Sequence, residues 1–322
     1  MQANQTLDAV DDLIERVDRL HSGPRVAQRI VALTREPEFD MRRVVECLEH
    51  DPALSARILS VVNSSRYGLA QNVSSVRHAA TYLGRRSLRL IVLTFSLVEN
   101  LSKGAHGALY ADYWRRALTM AHVAARLSRE SRDISEDEAY TSGLLADVGI
   151  LVLAQLEGEQ YRSLYERCPH GPTLLRGEQT VLGFAHPELG ARLLERWQLP
   201  APVVSAVLTH HDSAQDLPRL NLAVRAGDLM ADALWVPESS KVPAAKALLE
   251  TQFGFDLDRF IDLALSCRQD IEQSAHAFGI SVGPLDGCEY VLGEAHRLFC
   301  EASIDAALEM DSLEMAIEQI GG

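Results

Sequence analysis

Five side chains near the middle of the chain carry groups that could hold a metal or move a proton. Asp147 stands inside an otherwise apolar run, Gly143-Leu144-Leu145-Ala146-Asp147-Val148-Gly149-Ile150-Leu151. A lone carboxylate in such a setting is strongly penalised unless it is paired or hydrogen-bonded. His186 opens the predicted helix His186-Pro187-Glu188-Leu189-Gly190-Ala191, His210 and His211 end the helix that follows Pro202, and Asp228 sits in a helix with Leu222, Val224 and Leu229. Carboxylates and imidazoles converging from separate helices can bind a divalent metal. Plainer roles stand beside this one. Asp147 can cap a helix beginning at Val148, and His186 can close a helix start. His210 and His211 would point about 100° apart on a helix, so only one is expected at a common centre.

A second cluster is basic. Arg77, Arg85, Arg86 and Arg89 fall close together, and Arg85 and Arg89 share a helix face at i,i+4. Such a cluster can clamp a nucleotide phosphate or meet an acidic partner, or simply lie solvated or against an acidic segment.

The elements that must position these groups read as helices. Val10 and Ile14 belong to the stripe Leu7, Val10, Ile14, Val17, Leu20. Asp40 and Asp51-Pro52 match helix starts, as does Ser135-Glu136-Asp137-Glu138, a capping-box pattern. Ser75 precedes a short helix that Gly84 separates from Arg85–Leu101. No convincing strand alternation or short repeat is present, so the expected fold is all-α. Lys103-Gly104-Ala105-His106-Gly107 reads as a linker. Three regions are expected: an N-terminal helical lobe over 1–105, a second helical lobe over 106–240, and a helical extension over 241–322 interrupted near Gly279–Gly287.

Composition limits the function classes. The 322 residues are 47% hydrophobic and 24% charged, with a net charge of -14, which describes a globular protein and disfavours general nucleic-acid binding. Acid is concentrated late: residues 246–322 hold 15 Asp and Glu against 4 Lys and Arg. The five scattered cysteines lack a C-x-x-C pair and fit a reducing compartment. The N-terminus has no signal-peptide pattern and no apolar run reaches the ~20 residues of a membrane span. A cytoplasmic protein is expected.

The chain resembles the HDOD family, the HD-related output domains of bacterial signalling proteins. The first lobe carries the resemblance in Asp51-Pro52-Ala53-Leu54-Ser55-Ala56-Arg57-Ile58-Leu59, Val62-Asn63-Ser64-Ser65-Arg66-Tyr67-Gly68 and Ser75-Val76-Arg77-His78-Ala79-Ala80-Thr81-Tyr82-Leu83-Gly84. The second lobe carries it in Gly143–Gly149, His186 with Glu188-Leu189-Gly190, Trp197-Gln198-Leu199-Pro200 and His210-His211. Residues from about 20 to 235 are covered. The resemblance implies a two-lobed all-α fold whose second lobe is similar to HD metal-dependent phosphohydrolases.

The departures decide the functional expectation. Where catalytic HD relatives carry a His-Asp doublet, this chain has Ala146 before Asp147. Counted from Trp114, the position of an earlier ligand His is Arg116, and Ile150 replaces the Lys of HD-GYP phosphodiesterases. A methyl group cannot ligate, and a fixed cation repels a dication. The survivors Asp147, His186, one of His210 or His211, and Asp228 are too few for a two-metal hydrolytic centre. Resemblance therefore implies a vestigial pocket of Arg116, Ala146, Asp147, His186, His210, His211 and Asp228. No catalytic residue, metal or cofactor is expected, and Arg116 would replace metal charge by pairing with Asp147 or Asp228. The expected role is signal transduction by binding a protein partner or small ligand. The alternatives are cyclic-di-GMP binding through Arg77, Arg85, Arg86 and Arg89, and an atypical phosphohydrolase. The extension more weakly resembles the connector to a GGDEF domain, and the chain either ends naturally or is a fragment. The stripe Ile304, Leu308, Leu313, Ile317, Ile320 fits either a homodimer seam or plain core packing.

Overall fold

The computed structural model describes residues 10–16, 29, 33, 39–63, 67, 69, 72–102, 107–131, 133–168, 170–236, 239–278, 280, 282, 293 and 297. Among these residues the fold is all-α, with no strand. A helical segment at 10–16 is followed by α1 (Met41–Glu49), α2 (Pro52–Val62), α3 (Val76–Ser102), α4 (Ala108–Ser128), α5 (Glu136–Leu145), α6 (Val148–Leu156) and α7 (Gly158–Arg167). Then come α8 (Gly171–Leu182), α9 (His186–Arg196), α10 (Ala201–Thr209), α11 (Arg219–Trp235), α12 (Val242–Phe253) and α13 (Leu257–Phe278). The linker residues 103–106, the break at 283–287 and the stripe from Ile304 to Ile320 lie outside the described residues.

Local chemistry explains several boundaries. Asp51 accepts a hydrogen bond from the Leu54 N–H at 3.0 Å, and Pro52 follows it at the first helical position. Asp40 accepts from the Arg42 N–H at 3.0 Å. Ser135 does precede α5, but its side chain makes no capping hydrogen bond, unlike the expected capping box. Gly84 divides α3 into two helical segments, as expected from sequence. Its φ of 74° and ψ of 175° put a kink between the two, in a region open chiefly to glycine.

Two apolar cores form. The smaller joins Val44, Leu48, Ile58 and Val62 to Ala79, Leu88, Val92 and Phe95 of α3. The larger surrounds α4, which is buried on nearly every face and packs against α5, α11 and α13. Val10, Leu13 and Ile14 of the N-terminal segment belong to this larger core, as do Phe253, Phe255 and Phe260 of the acidic region. Leu93 of α3 also enters it, so one helix is built into both cores. The stretch Glu136–Leu156 is long and apolar enough to cross a membrane, but 89% of its apolar window is buried in the fold, as expected of a core helix.

Backbone approaches bring the site helices together. A Cβ on Gly143 of α5 would lie 2.4 Å from the Met120 carbonyl oxygen of α4, and one on Gly227 of α11 would lie 2.8 Å from the Met120 Cα. A Cβ on Gly149 of α6 would lie 2.1 Å from the His186 carbonyl oxygen at the start of α9. Only hydrogen fits at these contacts. Gly149→Ala is expected to destabilise the protein by about 1–3 kcal/mol through overpacking. Urea unfolding at neutral pH measures this, and unchanged stability would mean that α6 and α9 can separate without loss.

Candidate functional site

The site lies where α4, the α5–α6 junction, α9, the end of α10 and α11 meet. Its first component is Arg116 of α4, 2% exposed. Its Nε donates to Asp147 Oδ2 at 3.1 Å, and its two terminal nitrogens donate to Asp228 and Asp232. Arg116 thus pairs with both expected carboxylates and with a third, Asp232. Burial disfavours the guanidinium charge, but the three aspartates outweigh it and raise its pKa well above its ordinary value. The same balance holds Asp147 ionised: burial pushes its pKa up, while Arg116, His186 and His210 bring it well below the usual range. Asp228 is held low against burial by His211, Arg116 and Arg225.

The second component is the set of imidazoles. His186 is fully buried at the first position of α9. Glu178 of α8 accepts from both the His186 backbone N–H and its Nδ1, each at 2.8 Å. Tyr161 of α7 donates to the other oxygen of Glu178. A carboxylate from another helix thereby caps α9, whose N-terminal N–H groups have no intrahelical partner. Burial disfavours charge on His186, but Glu178 and Asp147 raise its pKa to about 9.

His210 and His211 both enter the pocket, contrary to the expectation that adjacent helical residues would diverge. α10 ends at Thr209, so His210 is the cap and His211 lies in the turn beyond it. The two rings lie side by side, with centroids 4.0 Å apart, one reaching Asp147 and the other Asp228. His210 Nδ1 donates to the Val207 carbonyl at 2.6 Å, and its Nε2 lies 3.1 Å from Asp147 Oδ1. His211 Nδ1 lies 3.1 Å from Asp228 Oδ2, and its Nε2 lies 3.3 Å from His186 Nε2. Burial, reinforced by His210 and His186, lowers the His211 pKa to about 4 despite Asp228. Asp147 occupies the N-cap position of α6 as expected, but its side chain makes no cap and turns into the pocket. Ala146 is buried beside it and contributes no polar atom.

Sequence reasoning missed Asp232 and Glu178. Asp232 carried a usable signal, being one turn after Asp228 on α11. Glu178 carried none, since only the tertiary fold brings α8 to the start of α9. The basic cluster lies elsewhere, largely engaged within the chain. Arg77 reaches Glu49 at 3.5 Å, Arg86 pairs with Glu138, and Arg89 donates to the Gln198 carbonyl at 3.4 Å. Arg85 stands on the same helix but is not part of the pocket.

A fixed cation paired with three of the pocket's carboxylates leaves them less available to a second metal ion. The Arg116 guanidinium stands among Asp147, Asp228 and Asp232 and binds one oxygen of each. Four ligand atoms remain together, one each from Asp147, His186, His210 and His211, all within 4.8 Å of one another.

Two outcomes follow. Arg116→Met, which strands three buried carboxylates, is expected to cost about 3–5 kcal/mol in urea unfolding. In metal-free protein, stability is expected to peak near neutral pH. The depressed carboxylates Asp147, Asp228 and Glu178 stabilise above the unfolded carboxylate pKa, and that stabilisation is lost as pH falls. The neutral burial of His211 adds to this loss between 6.5 and about 4. The raised pKa of His186 acts oppositely: its contribution is complete below 6.5 and lost as pH rises through about 9. Unfolding curves at acidic, neutral and alkaline pH check both limbs, and a flat profile would contradict them.

Comparison with known proteins places this geometry. The HDOD domain family model matches residues 20–213. Among curated proteins none matches the chain. An HDOD domain protein of unknown function from Geobacter sulfurreducens has a similar structure, with a TM-score of 0.65 at 24% identity, over 86% of this chain and 99% of that one. A proposed phosphohydrolase from Shewanella amazonensis SB2B gives 0.63 at 22% identity, over 83% and 97%. A proposed signal transduction protein from Marinobacter aquaeolei VT8 gives 0.61 at 24% identity, over 87% and 67%. These likenesses establish a shared fold. With the family model spanning more than half its length, the chain belongs to the HDOD domain family.

Proposed function

We propose that this chain is a cytoplasmic signalling domain that works by recognising a protein partner and does not turn over a substrate. The observation that carries this reading is Arg116, fixed by Asp147, Asp228 and Asp232. Two-metal hydrolysis needs two ions that jointly hold the nucleophile and the leaving oxygen. A guanidinium saturated by three carboxylates offers no open position to either, and it generates no hydroxide. The pocket is in this sense a degenerate HD centre.

Recognition has a plausible mechanical route in the seam between the two cores. Arg86 reaches Glu138, Ser87 and Tyr67 both reach Asp137, and Arg89 reaches the Gln198 carbonyl. These polar contacts, with the shared helix α3, fix the relative orientation of the lobes. A partner that binds one orientation more tightly would shift that orientation. Arg77, Arg86 and Arg89 make exposed contacts within the chain that a cyclic-di-GMP clamp would have to exchange, whereas a protein partner on the seam would not.

Assays with cyclic-di-GMP and with bis-p-nitrophenyl phosphate, in the presence of manganese, ferrous iron or zinc, are expected to show no turnover. Calorimetry with cyclic-di-GMP is expected to show no heat of binding. Turnover that disappears in Asp147→Asn would overturn the non-catalytic reading. Turnover that arises only in the double variant Arg116→His with Ala146→His would support it, because lost ligands would then account for the silence of the pocket.

A further inference from the structure

We propose that the pocket binds one divalent transition-metal ion, of the zinc or ferrous-iron type, through Asp147 Oδ1 and the Nε2 atoms of His186, His210 and His211. The assignment departs from the metal-free pocket expected from sequence, and it does not depend on the signalling role. It starts from hydrogen-bond polarity. Each Nδ1 faces an acceptor: Glu178 for His186, the Val207 carbonyl for His210, and Asp228 for His211. Each Nδ1 therefore carries a proton, and each ring in its neutral form turns an Nε2 lone pair inward; in the metal-free pocket Glu178 and Asp147 favour a second proton on His186, which a metal would displace. Three lone pairs and a carboxylate oxygen then face one another with no donor among them. Asp147 does not supply one, since its other oxygen accepts from Arg116. An arrangement made only of acceptors needs positive charge at its centre, either a metal ion or a proton on His186. Orientation of ligating imidazoles by carboxylates and a backbone carbonyl is the usual outer shell of a metal site.

Distances agree. Zinc bonds of 2.0–2.1 Å in a tetrahedron place neighbouring ligand atoms about 3.3–3.4 Å apart. Three of the six separations lie near that value, 3.1 Å from His210 to Asp147, 3.3 Å from His211 to His186 and 3.5 Å from His186 to Asp147, and all six stay within 4.8 Å, so a bound ion would draw the remaining ligands inward. Charge agrees as well. Asp147, Asp228, Asp232 and Glu178 surround the pocket, and Arg116 and Arg225 are the guanidinium groups paired into it. With neutral imidazoles, two negative charges stay uncompensated, which is the charge of one dication. Three imidazoles favour zinc, iron or nickel over magnesium or calcium, which prefer oxygen. Entry is open on one side. His211 lines a cavity of about 440 Å³ with Arg176, Glu188, Leu208 and Asp212.

The rival occupant is a proton on His186, shared with Asp147 or His211. The two are separated by stripping the full chain, produced without a metal-affinity tag, with a chelator and titrating it with zinc and with cobalt(II). Binding of one equivalent is expected, with visible cobalt bands of a four- or five-coordinate site and a Tm that rises with zinc concentration. Glu178→Gln, which spares the ligands, is expected to weaken zinc binding about 10–100-fold. His211→Ala, at the rim, and His186→Ala are expected to abolish the cobalt spectrum. Where His186→Ala fails to fold, the other two variants carry the test. Binding below about a tenth of an equivalent at micromolar zinc would overturn the site, as would two tight equivalents, or a spectrum unchanged in His211→Ala. Each of these leaves the non-catalytic reading standing. Phosphodiester turnover by the one-metal protein would do the opposite, overturning that reading and supporting the site.

Discussion

The interaction on which the rest of the site depends is the burial of the Arg116 guanidinium among three carboxylates. Removing such charges from water is expensive, and only good geometry offsets the penalty. Arg116 can meet Asp147, Asp228 and Asp232 only if α4, the α5–α6 junction and α11 approach closely. The close contacts of Gly143 and Gly227 on either side of Met120, one turn beyond Arg116, are what permit that approach. Packing and electrostatics therefore fix the same three elements, and neither arrangement survives without the other.

A second set of constraints radiates from this one. Glu178 holds His186 by backbone and ring together, and Tyr161 holds Glu178. Asn221 donates to Ser205 and Thr209 and pins the end of α10 to α11, just before His210. The ring orientations are thus set from outside the pocket. What faces inward is a consequence of which acceptors lie behind each imidazole. The pocket's polarity is consequently a property of five helices rather than of any local motif.

Much of this was legible in the residues, for identifiable reasons. Helix starts at Asp40 and Asp51 were readable because a side-chain cap is a local interaction. Asp147 was conspicuous because a charge in an apolar run demands a partner. The partner itself, Arg116, was found only through family resemblance, since 31 residues separate the two. Failure came where a local rule was extended past what it describes. The divergence expected of His210 and His211 considered only the step between their backbones, while the two side chains reach partners in one pocket. Ser135 matched a capping pattern whose hydrogen bond is not made, because sequence shows the availability of a donor or acceptor and not its use. Glu178 was invisible because its role exists only after α8 and α9 have packed.

The distribution of the two cores has a topological consequence. Residues 10–16 enter the larger core, residues 39–95 build the smaller one, and residues from 113 onward return to the larger. The smaller lobe is therefore an insertion within the larger one, anchored by chain at both its ends. It cannot be cut away at a single linker without taking Val10, Leu13, Ile14 and Leu93 from the other core. Nor can it swing as a terminal domain on one tether would. Covalent continuity at both ends and the entry of α3 into both cores therefore join the two lobes by chain and by packing at once.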